Sequence, residues 1–130
     1  MAENTIFMKI IKREIPASIV YEDEKSLAFL DINPFSKGHT LVIPKKAYER
    51  ITDMPEKEYL DLQKSVLKVA NNMKKVMKCN VGTLVFGEEV PHVHIHVFPI
   101  KGYIAVFNFS KTEKYLENES QIYLNRLKFK

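Results

Sequence analysis

The sequence contains few of the residues that define several classes of protein. Of its 130 residues only Cys79 is a cysteine, so neither an intrachain disulfide nor a multi-cysteine zinc site can form. Four glycines and six prolines are too few for a collagen-like or low-complexity chain. No uncharged apolar run reaches the roughly 18 residues of a membrane span, and charged residues interrupt the N-terminal stretch where a signal peptide would be apolar. We therefore expect a globular, cytoplasmic protein with no membrane association.

Charges of both signs are spread along the chain. Twenty Lys and Arg against 16 Asp and Glu give a formal net charge of +4 and a pI of about 9.1. The basic residues form no stripe with interleaved aromatic side chains, so we expect small anionic ligands rather than a nucleic-acid partner. Because no repeat, linker or change in composition divides the sequence, residues 1–130 are predicted to form one domain, with residues 1–4 loose.

Hydrophobic patterning predicts an α+β domain. Apolar residues at helical spacing predict a short helix before Pro16, and β-branched and aromatic runs predict five strands. The predicted strands are 18–22, 27–32, 39–43, 82–86 and 92–100. Residues 110–130 are predicted to form a helical tail that starts at Ser110 and Glu113, with a break near residues 118–120. The order predicts a five-stranded antiparallel sheet with one long helix and short N- and C-terminal helices.

The long helix has the clearest pattern of these elements. Its apolar residues recur three or four positions apart and form one stripe: Tyr59, Leu62, Val66, Val69, Met73 and Val76. Asp53 and Glu56, three residues apart, predict a capping box at its start. Acidic side chains in the first half and lysines in the second match the helix dipole, so these charges are expected to be structural.

Three of the four histidines lie in one short segment, PHVHIHVFP. His92, His94 and His96 alternate with apolar residues. In a strand this alternation points all three imidazoles to one face, about 6.6 Å apart at Cα, while the apolar residues between them face the core. Imidazole can act as nucleophile, proton donor or hydrogen-bond donor near pH 7, so a row of three can surround one phosphoryl group.

Three interpretations of this row are open. The first is a solvent-facing strand, or a cluster of histidines whose hydrogen bonds are satisfied within the fold. Polar alternation of this kind needs no repeated histidine, because Lys, Thr or Glu would serve equally well. Two histidines one residue apart can belong to a zinc site, but all three span about 13 Å along a strand, too far for one ion without a bend. The third interpretation is phosphoryl-group chemistry in which one imidazole attacks phosphorus. We favour the third because it explains the spacing.

The segment HVHIHVF, from His92 to Phe98, resembles the signature of the histidine triad nucleotide hydrolases and transferases. TIFMKIIKREIPASIVYEDEKSLAFLDINPFSKGHTLVIPKK is similar to the N-terminal half of that family, particularly its Hint branch. The resemblance implies the five-stranded fold above, a homodimer, and action at the α-phosphate of purine nucleotides: nucleoside phosphoramidates, acyl-adenylates or dinucleoside polyphosphates. Some relatives carry a zinc-binding cysteine pair where this sequence has Thr5 and Met8, so no metal site and no cofactor is implied.

The resemblance also implies roles for the histidines. His94 corresponds to the nucleophile that forms a nucleotidyl-histidine, which water then hydrolyses. A hydrogen bond from its Nδ1 to a backbone carbonyl would leave Nε2 free to attack. His96 corresponds to the residue beside the phosphate and leaving group, and His92 to a supporting hydrogen-bonding residue. His39 corresponds to a fourth histidine that orients the triad; from the residues alone, a buried strand histidine is the alternative.

A nucleoside site is implied by further residues. The apolar residues expected around the base are Ile6, Phe7, Ile10, Phe29 and Ile32. Asp31 corresponds to a carboxylate that accepts hydrogen bonds from the ribose hydroxyls. From the residues alone, the apolar set also fits a plain core, and Asp31 also fits a turn residue before Pro34.

The segment before the triad, VGTLVFGEEVPH, departs from the family pattern. It is shorter, lacks the usual asparagine and has Glu88 where Gln is usual, and a carboxylate repels phosphate unless it is protonated or turned outward. Gly87 and Glu89 complete the predicted substrate-binding set, Gly87 through backbone amides. This departure motivates a second hypothesis, a nucleotide-binding or partner-binding protein with weak or no catalysis. Metal-dependent hydrolysis, motivated by the paired histidines, is the third.

Overall fold

One antiparallel sheet organises the part of the chain that the computed structural model describes, residues 4–87, 89–100 and 112–129. Within these residues the strands are β1 (Ile19–Glu22), β2 (Ser26–Leu30), β3 (Thr40–Pro44), β4 (Val81–Leu84) and β5 (Ile95–Pro99), in the order β1-β2-β3-β5-β4. The helices are α1 (Ile6–Ile11), α2 (Glu56–Met77) and α3 (Glu119–Leu127), and a 3-10 turn covers Ile51–Asp53. The predicted α+β class is therefore confirmed.

The two faces of the sheet carry separate hydrophobic cores. On one face α2 packs its stripe of Leu62, Val66, Val69 and Met73 against the sheet. On the other face α1 supplies Phe7 and Ile10, which pack with the buried side chains Leu27, Phe29, Leu41 and Ile43 of β2 and β3. None of the helices in the described ranges is both long and apolar enough to cross a membrane.

The predicted capping box at the start of α2 is wrong. Met54 is extended, as expected for a residue that precedes proline, so the helix cannot run back through it to Asp53. Pro55 is the N-cap instead, and α2 begins at Glu56. The Asp53 carboxylate accepts from the backbone N–H of Arg50 at 3.1 Å and so caps the 3-10 turn.

The predicted helical tail is only partly correct. Residues 112–116 are not helical, and α3 begins at Glu119, after Asn118 takes a left-handed conformation with φ of 65°. Glu113 does not cap a helix, because its carboxylate accepts from the backbone N–H of Lys37 at 2.8 Å. Ser110 lies outside the described residues. The same is true of residues 1–3, which belong to the N-terminal segment predicted to be loose.

The histidine strand is shorter than predicted. β5 pairs with β3 only from Val42 opposite Ile95 onward, so His92 and His94 precede the strand. At that point the chain leaves the ladder, since the Val93 N–H donates to the Tyr48 carbonyl, beyond the end of β3. The alternation survives this change, because Val93, Ile95 and Val97 all lie in the core on the α2 face.

Candidate active site

His39 and His96 are linked in one directed chain of hydrogen bonds. The backbone N–H of Phe35 donates to Nδ1 of His39 at 2.9 Å, so the proton of this neutral ring must be on Nε2. Nε2 of His39 lies 2.9 Å from Nδ1 of His96 and donates to it. The proton of a neutral His96 is therefore on Nε2. Phe35 stacks on both rings, with centroid distances of 4.3 and 5.1 Å.

Burial keeps these imidazoles neutral. It lowers the pKa of His39 to about 3, with the neighbouring His96 and His94 as further causes. Burial also lowers the pKa of His92 and of His96. His39 Nδ1 lies 3.8 Å from the Asp31 carboxylate, but a neutral ring makes no ion pair there. His96 Nε2 consequently presents an N–H donor.

His94 is held by its own backbone neighbour. Nδ1 of His94 donates to the carbonyl oxygen of His92 at 2.8 Å, which leaves Nε2 as the ring nitrogen that can act as a nucleophile. Phe7 packs edge-on against His94, with ring centroids 5.1 Å apart. His92 itself is fixed by a 2.8 Å bond from Nε2 to the Pro44 carbonyl, and among the described residues its buried Nδ1 has no partner. His92 thus orients His94 through its peptide carbonyl.

Glu89 lies directly against the triad. Its carboxylate is 2.5 Å from Nε2 of His94 and 3.4 Å from Nε2 of His96. One proton must lie between the carboxylate and His94, because two lone pairs would repel at this distance. The Glu89 side chain is 44% exposed, whereas that of His94 is 1% exposed, so the carboxylate can withdraw from the ring into solvent. When the carboxylate withdraws, a negatively charged oxygen of a ligand can take its place in front of the His94 and His96 imidazoles.

The triad opens into a cavity of about 510 Å³, which we call the histidine pocket. His94, His96 and Glu89 line it together with Asp31, Phe35 and Phe7. Of the lining residues that the structure describes, none is Lys or Arg, so an anion bound here would depend on N–H donors such as that of His96.

A second cavity, of about 770 Å³, adjoins the first and is called here the apolar pocket. All six predicted nucleoside residues line it: Ile6, Phe7, Ile10, Phe29, Asp31 and Ile32. The two pockets share Phe7, Asp31 and Leu41. Burial raises the pKa of Asp31, whose Oδ1 accepts from the Asn33 N–H at 2.8 Å. The two pockets therefore adjoin to form one groove region, in which the Asp31 carboxylate lies between an apolar slot and the imidazoles.

The remaining predicted residues lie elsewhere or outside the described part. Gly87 does not line the histidine pocket but a neighbouring cleft of about 210 Å³, which reaches His94 and Arg50. Glu88 lies outside the described residues. The Thr5 hydroxyl accepts from the Met8 N–H at 3.2 Å and caps α1. Thr5, which stands where some relatives have a zinc-binding cysteine, therefore stabilises the start of the helix.

Two groups of side chains have possible metal-ligating atoms within 4.8 Å of one another in the described residues. One is Asp31, His39 and His96, in which both ring nitrogens of His39 are already engaged. The other is Glu89, His94 and His96, whose facing atoms suit a divalent transition metal. Metal-dependent hydrolysis therefore remains open to test.

Sequence reasoning did not identify three residues of the groove. Phe35, which stacks on two histidines, stands in the loop NPFSKGH, where its position next to a proline turn was the available signal. Tyr115 and Leu116 line the apolar pocket from the C-terminal segment. Nothing in their local sequence connects them with α1 or β2, because the contact joins segments that are far apart in the chain.

Comparison with known proteins identifies this architecture. The family model of the HIT domain matches residues 12–102. The chain belongs to the HIT domain family. An uncharacterized HIT-like protein of Methanocaldococcus jannaschii is 52% identical over 99 residues, which cover 72% of this chain and 77% of that protein. A crystal structure of a Hit-like protein from Bartonella henselae superposes with a TM-score of 0.81 at 32% identity, covering 96% of this chain and 95% of that one.

Two relatives of this HIT protein have names that state an activity. Adenosine 5'-monophosphoramidase HNT1 of Saccharomyces cerevisiae is 37% identical over 100 residues, covering 72% of this chain and 61% of that protein. The asymmetrical bis(5'-nucleosyl)-tetraphosphatase of Schizosaccharomyces pombe is 33% identical over 122 residues, covering 87% of this chain and 67% of that protein.

Proposed function

We propose that this HIT protein is a nucleotide hydrolase or transferase that acts at the α-phosphate of purine nucleotides through a covalent intermediate on His94. Its substrates would be nucleoside phosphoramidates, acyl-adenylates or dinucleoside polyphosphates. The observation that carries this proposal is the orientation of His94, whose Nδ1 donates to the His92 carbonyl while Nε2 faces the histidine pocket. The names of the yeast relatives support nucleotide hydrolysis in general.

The adjoining groove supports a nucleotide as the substrate. A planar base fits the apolar pocket, where Phe7 and Phe29 lie edge to face with centroids 5.6 Å apart. Asp31 lies where the two pockets meet, so its carboxylate can accept from the ribose hydroxyls. The α-phosphate then reaches His94 and His96. This order of base, sugar and phosphate matches the order of apolar, acceptor and donor groups in the groove.

The first chemical step requires Glu89 to leave His94. When phosphate displaces the carboxylate, the proton shared by Glu89 and His94 goes with Glu89, and His94 is left neutral. The Nε2 lone pair attacks phosphorus and forms an N–P bond, and the bond from phosphorus to the leaving group breaks with its electron pair on the leaving atom. That atom takes the proton of the Glu89 carboxyl group, while His96 Nε2–H stabilises a phosphoryl oxygen.

The second step reverses these roles. Glu89, now a carboxylate, takes a proton from a water molecule whose oxygen attacks phosphorus. The N–P bond breaks and its electron pair returns to Nε2 of His94. The products are a nucleoside monophosphate and the protonated leaving group, so the protein regains its starting protonation state. An acceptor other than water would make the same step a transfer.

The direct test removes the nucleophile. In His94→Ala we expect no adenylylated protein by mass spectrometry and at least about a 10³-fold loss of AMP release from adenosine phosphoramidate. AMP binding should persist, because the groove is intact, and added imidazole should partly restore turnover by occupying the vacated space. Parent-like turnover by His94→Ala would refute the proposal.

One observation favours a second candidate, a nucleotide-binding protein without catalysis. The Glu89 carboxylate lies against the atom that must attack, and its negative charge opposes phosphate binding if it keeps no proton. Incubation of the parent protein with adenosine phosphoramidate separates the two candidates. AMP binding with neither product release nor a covalent adduct would support binding alone.

We also propose that the protein forms a homodimer, as the family resemblance implies, and that it acts in the cytoplasm, which its single cysteine favours. Light scattering at micromolar concentration tests the first of these. A monomer at every concentration at which the protein is active would refute the homodimer. The proposed mechanism would be unaffected, because it uses residues of one chain only.

A further inference from the structure

The segment after residue 111 is attached to the loop that leads to His39. The Glu113 N–H donates to the Pro34 carbonyl at 2.8 Å, and the Glu113 carboxylate accepts from the Lys37 N–H at 2.8 Å. The Gly38 N–H donates to the Tyr115 hydroxyl at 2.9 Å. Three hydrogen bonds to one short loop thus fix the backbone at residues 113–115.

The far end of this segment is anchored in the main core. Leu127 of α3 is 2% exposed and packs with the α2 side of the sheet. The Asn72 side-chain amide donates to the Leu127 carbonyl at 2.8 Å, and the Phe129 N–H donates to the Val20 carbonyl at 2.8 Å. Because both ends are held, the residues between them have a defined position.

That position brings three side chains of the segment, Tyr115, Leu116 and Ser120, to the apolar pocket. Leu116 is 72% exposed, and two other lining residues, Ile32 and Ile6, are 84% and 51% exposed. Single exposed apolar residues are ordinary, but three around one cavity form an apolar rim that a ligand can cover. The tail supplies one side of this rim.

Tyr115 lies near the sugar end of the groove, because its hydroxyl bonds to Gly38 and the carbonyl of the next residue, His39, accepts from the Asp31 N–H at 2.9 Å. Burial raises the pKa of Tyr115, and the negative charge of Asp31 is a further cause, so the phenol is protonated at neutral pH. The hydroxyl oxygen accepts from the Gly38 N–H, and the hydroxyl hydrogen can be donated to an acceptor atom of a ligand. A ribose oxygen bound at Asp31 is such an acceptor.

We propose that Tyr115 and Leu116 form the outer wall of the nucleoside site, Leu116 packing on the base and Tyr115 donating to the ribose. This inference rests on the proposed function, because it takes a nucleotide as the occupant of the groove. The occupant is argued from the position of the apolar pocket, which adjoins the histidine pocket at Phe7, Asp31 and Leu41. The tail is then a determinant of base selectivity that lies outside the region matched by the HIT domain model, which ends at residue 102.

Two ligands and three variants of the full-length protein test the wall. Calorimetry measures the Kd of AMP, which has a base, and of ribose 5-phosphate, which has none. Leu116→Ala should weaken AMP about 5-fold or more and leave ribose 5-phosphate unchanged, because it removes only contact with the base. Tyr115→Phe should weaken both ligands, because it removes a donor to the sugar. Ile122→Ala is the matched control, since Ile122 lies in the same segment, is 57% exposed and does not line the pocket.

Turnover of adenosine phosphoramidate provides the second measurement. Leu116→Ala should raise KM by the same factor as the Kd of AMP and leave kcat within about twofold, because Leu116 makes no contact at phosphorus. The wall is refuted if Leu116→Ala binds AMP as the parent does, or if it weakens ribose 5-phosphate as much as AMP, which would indicate a structural effect. A parent protein that binds AMP without turnover refutes the proposed hydrolysis and leaves the Kd test decisive. A parent that binds no AMP refutes both.

Discussion

The Glu89 carboxylate and Nε2 of His94 lie 2.5 Å apart, and the same carboxylate is 3.4 Å from Nε2 of His96. A phosphoryl oxygen would need the same place, in front of the same two imidazoles. The free protein therefore holds an anion of its own where the substrate must bind, together with a proton that the leaving group needs.

Glu89→Gln should separate these two properties. The amide cannot carry the proton, so formation of adenylyl-His94 from adenosine phosphoramidate, which expels an amine, should slow about 10²-fold. An acyl-adenylate has a leaving group that needs no proton, so the same step should slow less than about threefold with this substrate. The later hydrolysis, in which Glu89 is the base, should slow equally with both substrates. Rapid-quench measurement of the adenylylation step with both substrates gives the difference, and Glu24→Gln, an exposed glutamate in the turn between β1 and β2, is the control. Equal slowing of adenylylation with both substrates would contradict the proton-donor role.

Asp31→Asn should reveal contact with the ribose. The amide keeps an oxygen for the Asn33 N–H but loses the negative charge that strengthens hydrogen bonds from hydroxyl groups. We expect the KM for an adenosine substrate to rise about 10-fold and that for its 2'-deoxy counterpart to rise much less. An equal rise for both sugars would place the ribose elsewhere.

His39 should make the stability of the protein depend on pH. In the unfolded chain its imidazole takes up a proton near pH 6.5, whereas in the folded protein its pKa is about 3. The unfolded state therefore binds more protons between these values, so the free energy of unfolding is greatest above pH 6.5 and decreases as the pH falls. This single group contributes up to about 1.4 kcal/mol per pH unit.

Urea unfolding of the parent and of His39→Gln at pH 7 and pH 4.5 measures this contribution. The variant should lose less stability over the interval, because glutamine does not titrate, although burial lowers the pKa of His92 and His96 in both proteins and gives a residual slope of the same sign. The same pH dependence in both proteins would show that His39 is not buried as a neutral ring.

Removal of metal ions should not affect turnover. The proposed steps use the His94 nucleophile, the His96 donor and the Glu89 proton. In none of these steps do the three side chains bind a metal ion, although their facing atoms lie close enough to do so. After dialysis against a strong chelator we expect kcat for adenosine phosphoramidate to stay within about twofold of the untreated value. A large loss that Zn²⁺ restores would instead favour the third hypothesis, with Glu89, His94 and His96 as ligands.

Several features followed from the sequence because they depend on local periodicity. The stripe of α2 and the alternation around His94 are each set by the geometry of one element, so they predict which side chains share a face. The predicted capping box at Asp53 is wrong for an equally local reason. Pro55 restricts the preceding residue, Met54, to an extended conformation, so the helix cannot begin at Asp53.

The chemistry of the site was decided by tertiary contacts. Alternation alone predicts three equivalent imidazoles, but His96 Nδ1 accepts from His39 Nε2 and His92 Nε2 bonds to the Pro44 carbonyl, and both of these partners lie far away in the sequence. Likewise, Tyr115 reaches the groove because residues 113–115 bond to the loop that leads to His39, about 75 positions earlier in the chain. The amino-acid pattern thus determined which residues carry the reactive groups. The packing of distant segments determined the partners of the His92 and His96 rings and the residues that line the pocket, because these depend on distances that sequence separation does not encode.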